Sequence, residues 1–197
     1  MQELDAVLAA ARRCTLCTPY LPLGPRPVVQ AAPSASLLIV GQAPGVKVHR
    51  SGIPWDDKSG MRLRDWLGIP PEIFYDPNRV AIVPAGLCYP GAAPSGGDNP
   101  PRPECAPLWH PLILPLLRQV RLTLLVGSYA QKLFLRANRA PTLSATVANY
   151  RQYLPDYLAL PHPSWRSIIF ERKNPWFGEE MLPHAKDLVQ QALKQAV

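Results

Sequence analysis

The sequence predicts an α/β fold with a mainly parallel sheet, on three observations. Short apolar, β-prone runs occur at Leu37–Val40, Val80–Val83 and Leu122–Val126, and a fourth approaches Leu158-Ala159-Leu160. Segments of helical periodicity separate them, and strands alternating with helices argue for parallel pairing. The first run breaks into Gly41-Gln42-Ala43-Pro44-Gly45, the kind of ending that a buried parallel strand takes.

In chain order, Leu4, Val7, Leu8 and Ala11 fall on one face of an expected amphipathic helix from Gln2 to Arg13. A Pro-rich connection, Pro19 to Pro33, leads to the first strand. After the Gly-Pro turn the reading is a long loop, Val46 to Ser59, then a short helix over Met61 to Leu67. Pro84 to Pro103 reads as a loop, and Glu104 to Leu117 as a helix despite its prolines. Ser128 to Arg136 reads as a helix capped by Ser128. Asn174-Pro175 opens the last helical region, with Asn as N-cap and Pro at the first helical position.

At 197 residues the chain can bury a full core, and a single domain over 1–197 is the expectation. Apolar content of 47% against 18% charged places it among globular rather than disordered chains. No apolar stretch is long enough to span a bilayer. The segment Met1 to Asp5 lacks the basic and apolar regions of a signal peptide, so a cytoplasmic location is expected. A net charge of +7 suits an anionic partner such as nucleic acid. The 25 prolines imply long, stiff loops.

The four cysteines are Cys14, Cys17, Cys88 and Cys105. The C-x2-C pair lets two thiolates reach one metal centre, and the other pair brackets the Pro-rich loop. Structural disulfides are not expected in a cytoplasmic chain. Zinc or an iron–sulfur cluster are the metal options, since both accept four thiolates, against four unligated buried thiols. A second loop, Leu160-Pro161-His162-Pro163-Ser164-Trp165-Arg166-Ser167, follows a strand end and shares the sheet edge with Gly41–Gly45. Its Trp165 and Arg166, with Arg172 and Lys173 downstream, suit contacts to DNA bases and phosphates.

Both loops together resemble the uracil-DNA glycosylase superfamily, and most closely its iron–sulfur branch, often called family 4. Gly41-Gln42-Ala43-Pro44-Gly45 resembles the branch's first motif, GEAPG. Gly52-Ile53-Pro54-Trp55 with Ser59-Gly60 resembles its G-x-P-F segment and later A-G. His162-Pro163-Ser164 resembles the second motif, and Asn174-Pro175 the start of the final helix. The resemblance implies a three-layer α/β/α sandwich with a central four-stranded sheet. It also implies that Cys14, Cys17, Cys88 and Cys105 hold a [4Fe–4S] cluster, with zinc as the alternative. The partner it implies is DNA carrying damaged or deaminated bases, acted on by a monomeric, monofunctional glycosylase.

On that resemblance Trp55 would stack on a flipped base. His162 would stabilise the anion of the departing base. The Gly41–Gly45 turn would supply backbone amides and position water, with Ala43 and Pro44 lining the base and Ser164 beside His162. Trp165 would wedge into the vacated stack, and Arg166, Arg172 and Lys173 would hold phosphates.

Departures from the motif matter as much. Gln42 replaces the branch's Glu, and Ala43 stands where other branches carry an aspartate base, so neither usual carboxylate is present. Gln42 can still orient water by hydrogen bonding. Asp56 and Asp57 are expected to solvate their loop or pair with Lys58 or Arg62, and His49 to be an exposed loop residue. Pro84 falls where relatives place the asparagine that reads the uracil edge, so base readout must differ. Two rival readings are a DNA-binding or lesion-sensing protein that lost the chemistry, and an enzyme acting on free nucleosides.

Overall fold

The computed structural model describes residues 2–94 and 96–194; Met1, Ser95 and residues 195–197 lie outside the described set. Its centre is a four-stranded, wholly parallel sheet of β1 (Leu37–Val40), β2 (Val80–Ile82), β3 (Leu122–Val126) and β4 (Tyr157–Leu160), in the order β2-β1-β3-β4. The helices are α1 (Gln2–Arg12), α2 (Val46–Ser51), α3 (Lys58–Leu67), α4 (Pro71–Phe74), α5 (Cys105–Ile113), α6 (Ser128–Leu135), α7 (Leu143–Ala148), α8 (Ser167–Lys173) and α9 (Leu182–Lys194).

Strand side chains alternate between two cores. Leu37, Ile39, Val80, Ile82, Leu122, Leu124 and Leu158 join α3 (Leu63, Trp66, Leu67) and α9 (Ala185, Val189, Leu193). Leu38, Val40, Ala81 and Leu125 join α1 (Leu4, Leu8, Ala11), α5 (Trp109, Ile113) and α6 (Ala130, Leu135). A sheet covered on both faces needs apolar residues at every strand position, which is why the strands read as unbroken runs. The result is the three-layer α/β/α arrangement. Strand order reverses between β1 and β3, and in such sheets the crevice outside the carboxyl ends at that reversal is where ligands bind.

Four expectations need correcting. Val46–Ser51 is helical rather than loop; the segment is short and carries β-branched Val46 and Val48 in its first turn, and Gly52 ends it in a left-handed conformation at φ 76°. The helix expected over Glu104–Leu117 closes at Ile113 and tightens to 3-10 geometry over Leu114–Leu116. Pro111, inside it, lacks the N–H that would continue the ladder. Ser128 is the first residue of α6 and not its cap; Gly127 holds the cap position without a side-chain bond. Asn174 precedes the last helical region as expected, but its amide donates back to the Phe170 carbonyl at 2.8 Å instead of capping forward. The short helices α4, α7 and α8 carry no expectation from the sequence.

Candidate active site

Three strand ends and the loops that follow them enclose a cavity of about 460 Å³ at the carboxyl edge of the sheet, within the usual range for small-ligand sites. The turn after β1 supplies Gly41 to Gly45. The loop after β2 continues the pairing, its Ala85 and Gly86 N–H groups donating to the Gly41 and Gln42 carbonyls at 2.9 Å each. The loop after β4 brings His162, Ser164, Trp165 and Arg166. Three segments distant in sequence thus meet because parallel strands deliver their ends to one edge.

Trp55 forms the inner wall against His162, their ring centroids 5.6 Å apart and tilted by 33°. Its backbone is left-handed, φ 56°, a costly conformation for a bulky residue. Two glycines make room for it. A Cβ on Gly60 would lie 1.8 Å from the Trp55 carbonyl oxygen, and one on Gly41 would lie 2.8 Å from the indole ring. The Tyr75 hydroxyl donates to the same carbonyl at 3.4 Å and accepts from Arg64 at 2.8 Å.

His162 keeps some exposed surface although its ring is enclosed. Burial lowers its pKa and the Asp57 carboxylate partly offsets this, so the ring is neutral at neutral pH. Its strand end is pinned by Gln131 and Gly127, which both donate to the Leu160 carbonyl at 2.9 Å. Ser164 N–H donates to the His162 carbonyl at 2.8 Å and tightens the turn. Gln42 donates its amide to the Asn99 carbonyl at 2.9 Å, which orients the side chain within the cavity wall. Pro84 also lines the cavity, its carbonyl anchored by His110 Nε2 at 3.0 Å.

Trp165 is 68% exposed at the cavity mouth, with the Arg166 guanidinium 5.2 Å from its ring. Arg166 also reaches across to the Gly96 carbonyl at 3.5 Å. Arg172 and Lys173 are not loop residues; they sit in the last turn of α8, outside the cavity lining. Arg62 pairs with Glu171 at 3.0 Å and links the helix behind Trp55 to the helix behind Trp165.

The carboxylates differ from expectation. Asp57 forms no ion pair with Lys58 or Arg62; it caps α3 by accepting from Gly60 N–H at 2.7 Å, and it lines the cavity. His49 is buried on α2 beside the Tyr89 ring, 6.0 Å away, rather than exposed in a loop. Asp98, from the Gly96-Gly97 turn, lines the cavity as well and was missed by sequence reasoning. The one signal available was its position in a glycine turn following a strand, at the edge where ligands bind. Burial raises its pKa, and nearby Asp57 raises it further.

The four cysteines converge on one small cavity of about 20 Å³ with Gly86, Leu87 and Arg102. Leu87 N–H donates to Cys105 Sγ at 3.2 Å. Arg102 stacks 4.1 Å over the Tyr20 ring and pairs with Glu104 at 2.8 Å. Burial pushes the Cys88 and Cys105 thiols up to about 12 and about 11, and the neighbouring cysteines add to this. Cys105 opens α5 rather than lying in a loop. No three His, Cys, Asp or Glu side chains among the described residues are placed to hold a single metal ion. Four thiols around one small cavity, with an amide donor to one sulfur, form a donor set that either an iron–sulfur cluster or a zinc ion accepts.

The family model described as the uracil DNA glycosylase superfamily matches residues 28–186. Among the described residues no helix is long and apolar enough to cross a membrane.

Proposed function

The chain belongs to the uracil-DNA glycosylase superfamily, and from that premise we propose that it is a monofunctional DNA glycosylase excising a flipped, deaminated base. The observation that carries this reading is the pairing of the Trp55 and His162 rings inside a cavity roomy enough for a nucleobase, whose mouth bears exposed Trp165 and Arg166. A free-nucleoside enzyme has no use for an aromatic and a cation at its rim.

In the proposed reaction the base enters beside Trp55 while Trp165 fills the gap left in the stack. The bond between C1′ and the base nitrogen breaks first, leaving a cationic sugar and an anionic base. Neutral His162 donates an N–H to the base oxygen and spreads that negative charge. Asp57, held in the cavity wall by the bond it accepts from Gly60 N–H, faces the side on which the cationic sugar forms. Water held by Gln42 then attacks C1′, its proton leaves to solvent, and an abasic site remains. Because bond breaking leads, stabilising the anion lowers the barrier more than activating the water, which reconciles an active site with Gln42 and Ala43 in place of carboxylates.

Within the superfamily the cysteine pattern favours the iron–sulfur branch. Cys14, Cys17, Cys88 and Cys105 would hold a [4Fe–4S] cluster joining the end of α1 to the Pro-rich loop, in a monomer working in the reducing cytoplasm. When bound it would supply a cross-link and no chemistry at the base. Protein purified without oxygen should be brown, with a shoulder near ~400 nm; stoichiometric zinc without iron would reject the cluster.

Single-turnover incubation with duplex and single-stranded oligonucleotides carrying uracil, hypoxanthine or xanthine, followed by cleavage of abasic sites, tests the activity. Strand breaks at the modified base are expected. The second reading, a lesion binder without turnover, is favoured by the lack of a carboxylate in the Gly41–Gly45 turn. It predicts binding to the same oligonucleotides and no breaks.

A further inference from the structure

Sequence reasoning left base readout unassigned, because Pro84 offers no side-chain donor or acceptor. Among the described residues, Asp98 is one of the polar side chains that line the cavity without a hydrogen-bond or ion-pair partner. It comes from the loop after β2, held by the bridge between Ala92 and Asp98 and by Asn99 N–H donating to the Gly91 carbonyl at 2.8 Å. Neither ion pair among the described residues uses it. Its carboxyl converges with that of Asp57 on Gly45: a Cβ there would stand 3.4 Å from Asp98 Oδ2 and 3.9 Å from Asp57 Oδ2. The absent side chain of Gly45 leaves the space between them open.

We propose that Asp98, as the neutral carboxylic acid, reads the –NH–C(=O)– edge that uracil, hypoxanthine and xanthine share. A carboxylic acid presents an O–H donor beside a C=O acceptor, the same pair that an asparagine amide presents. The O–H donates to the base oxygen while the C=O accepts from the ring N–H, and both bonds lie in the plane of the base. This deepens the glycosylase reading and rests on it for the identity of the ligand.

Asp57 is committed to accepting from Gly60 N–H. Two carboxyls facing one gap disfavour a second negative charge there. Burial, and then Asp57, raise the affinity of Asp98 for a proton. Tyr89 faces it from the same loop and is itself raised, by burial and then by Asp98. Arg166 approaches from beyond β4, at Gly96 and Gly97, and works the other way. His162 couples to Asp57 across the cavity and His49 packs on Tyr89. Asp98 itself is exposed at the rim in the free protein, and a bound base covering it would further disfavour the charged form.

The sign follows directly. A group that reads the base while protonated is competent at low pH and loses its donor as pH rises through its raised value. An Asp98 acting as a general base would show the opposite slope. The test is binding, so that it does not depend on turnover. Duplexes carrying 2′-fluorodeoxyuridine or 2′-fluorodeoxyinosine, which resist hydrolysis, are compared with undamaged duplex from about pH 4.5, just above the ordinary carboxylate range, to about pH 8. For the wild type, preference for the lesion should be greater at the acid end than at the alkaline end. Asp98→Asn, which keeps donor and acceptor without a charge, should hold that preference across the range. Asp98→Ala should lose about ten- to a hundredfold of it at the acid end, the worth of one good bidentate base contact. A wild-type preference that is absent or flat with pH, or an Asp98→Asn variant no better than Asp98→Ala, would overturn the proposal. Excision of ordinary deoxyuridine and deoxyinosine is measured in parallel. Preference that follows Asp98 without excision defeats the glycosylase reading alone. Excision by a wild type whose binding ignores Asp98 defeats this inference alone.

Discussion

The two cavities flank one loop and are built in opposite ways. The large one is walled by main-chain turns and a few polar side chains, and opens to solvent at Trp165 and Arg166. The small one is lined by four partly exposed thiols from three segments. Residues 84–105 run through both: Pro84 and Asp98 face the first, while Gly86, Cys88 and Cys105 face the second. A chain that must present Asp98 and Gln42's partner Asn99 at fixed positions has few regular hydrogen bonds there. On the proposed reading, a metal group bound at Cys88 and Cys105 would anchor its two ends and limit that freedom. The difference then assigns chemistry to one region and geometry to the other.

Substitutions can break that division. The largest effect is expected at His162, since removing a preorganised donor to a developing anion costs about 10²–10³ in rate. His162→Ala should lose that much in single-turnover excision, and Asp57→Asn far less; a dead Asp57→Asn with an unimpaired His162→Ala would reverse the roles. Cys88→Ser comes next. It should abolish iron binding and lower the melting temperature, while excision per folded molecule, measured below that temperature, stays within several-fold of wild type. A complete loss of excision in folded Cys88→Ser protein would show that the small cavity takes part in the chemistry. Gly60→Ala should destabilise by roughly 1–3 kcal/mol, the usual range for overpacking, because the new methyl meets the Trp55 carbonyl. Denaturant unfolding measures it, and wild-type stability would mean that the Trp55 turn is not rigid. Arg166→Glu is the gentlest: affinity for every DNA sequence falls alike, and the salt dependence between ~50 and ~200 mM becomes shallower.

The sheet was legible in the sequence because burial on both faces leaves an unmistakable apolar run; β1 and β3 fall where their runs predict. Short helices were not. α2 and α8 have six and seven residues, fewer than periodicity needs, and their Val and Ile residues resemble strand. Of the candidate site, the residues carried by motifs (Gln42, Trp55, His162, Ser164, Trp165 and Arg166) do meet in one cavity. Asp98 was hidden because its partners, Gly45 and Asp57, lie 40 and more residues away. Its glycine turn after a strand is the one local mark of a carboxylate that the parallel sheet delivers to its place. His49 misled for a related reason: a histidine between basic neighbours looks solvated until Tyr89 is packed against it.

The clearance at Gly60 also bears on how this protein can change over generations. No codon one nucleotide away from glycine encodes a smaller residue, so with a Cβ landing 1.8 Å from a backbone oxygen every missense change there must displace the Trp55 turn. That position is frozen. Pro84 and Asp98 stand in the same cavity under no such constraint, on a loop where side chains can be exchanged without moving a strand. On the proposed reading, a change in base preference therefore has an open route through these two positions, while any side chain at Gly60 disturbs the Trp55 wall.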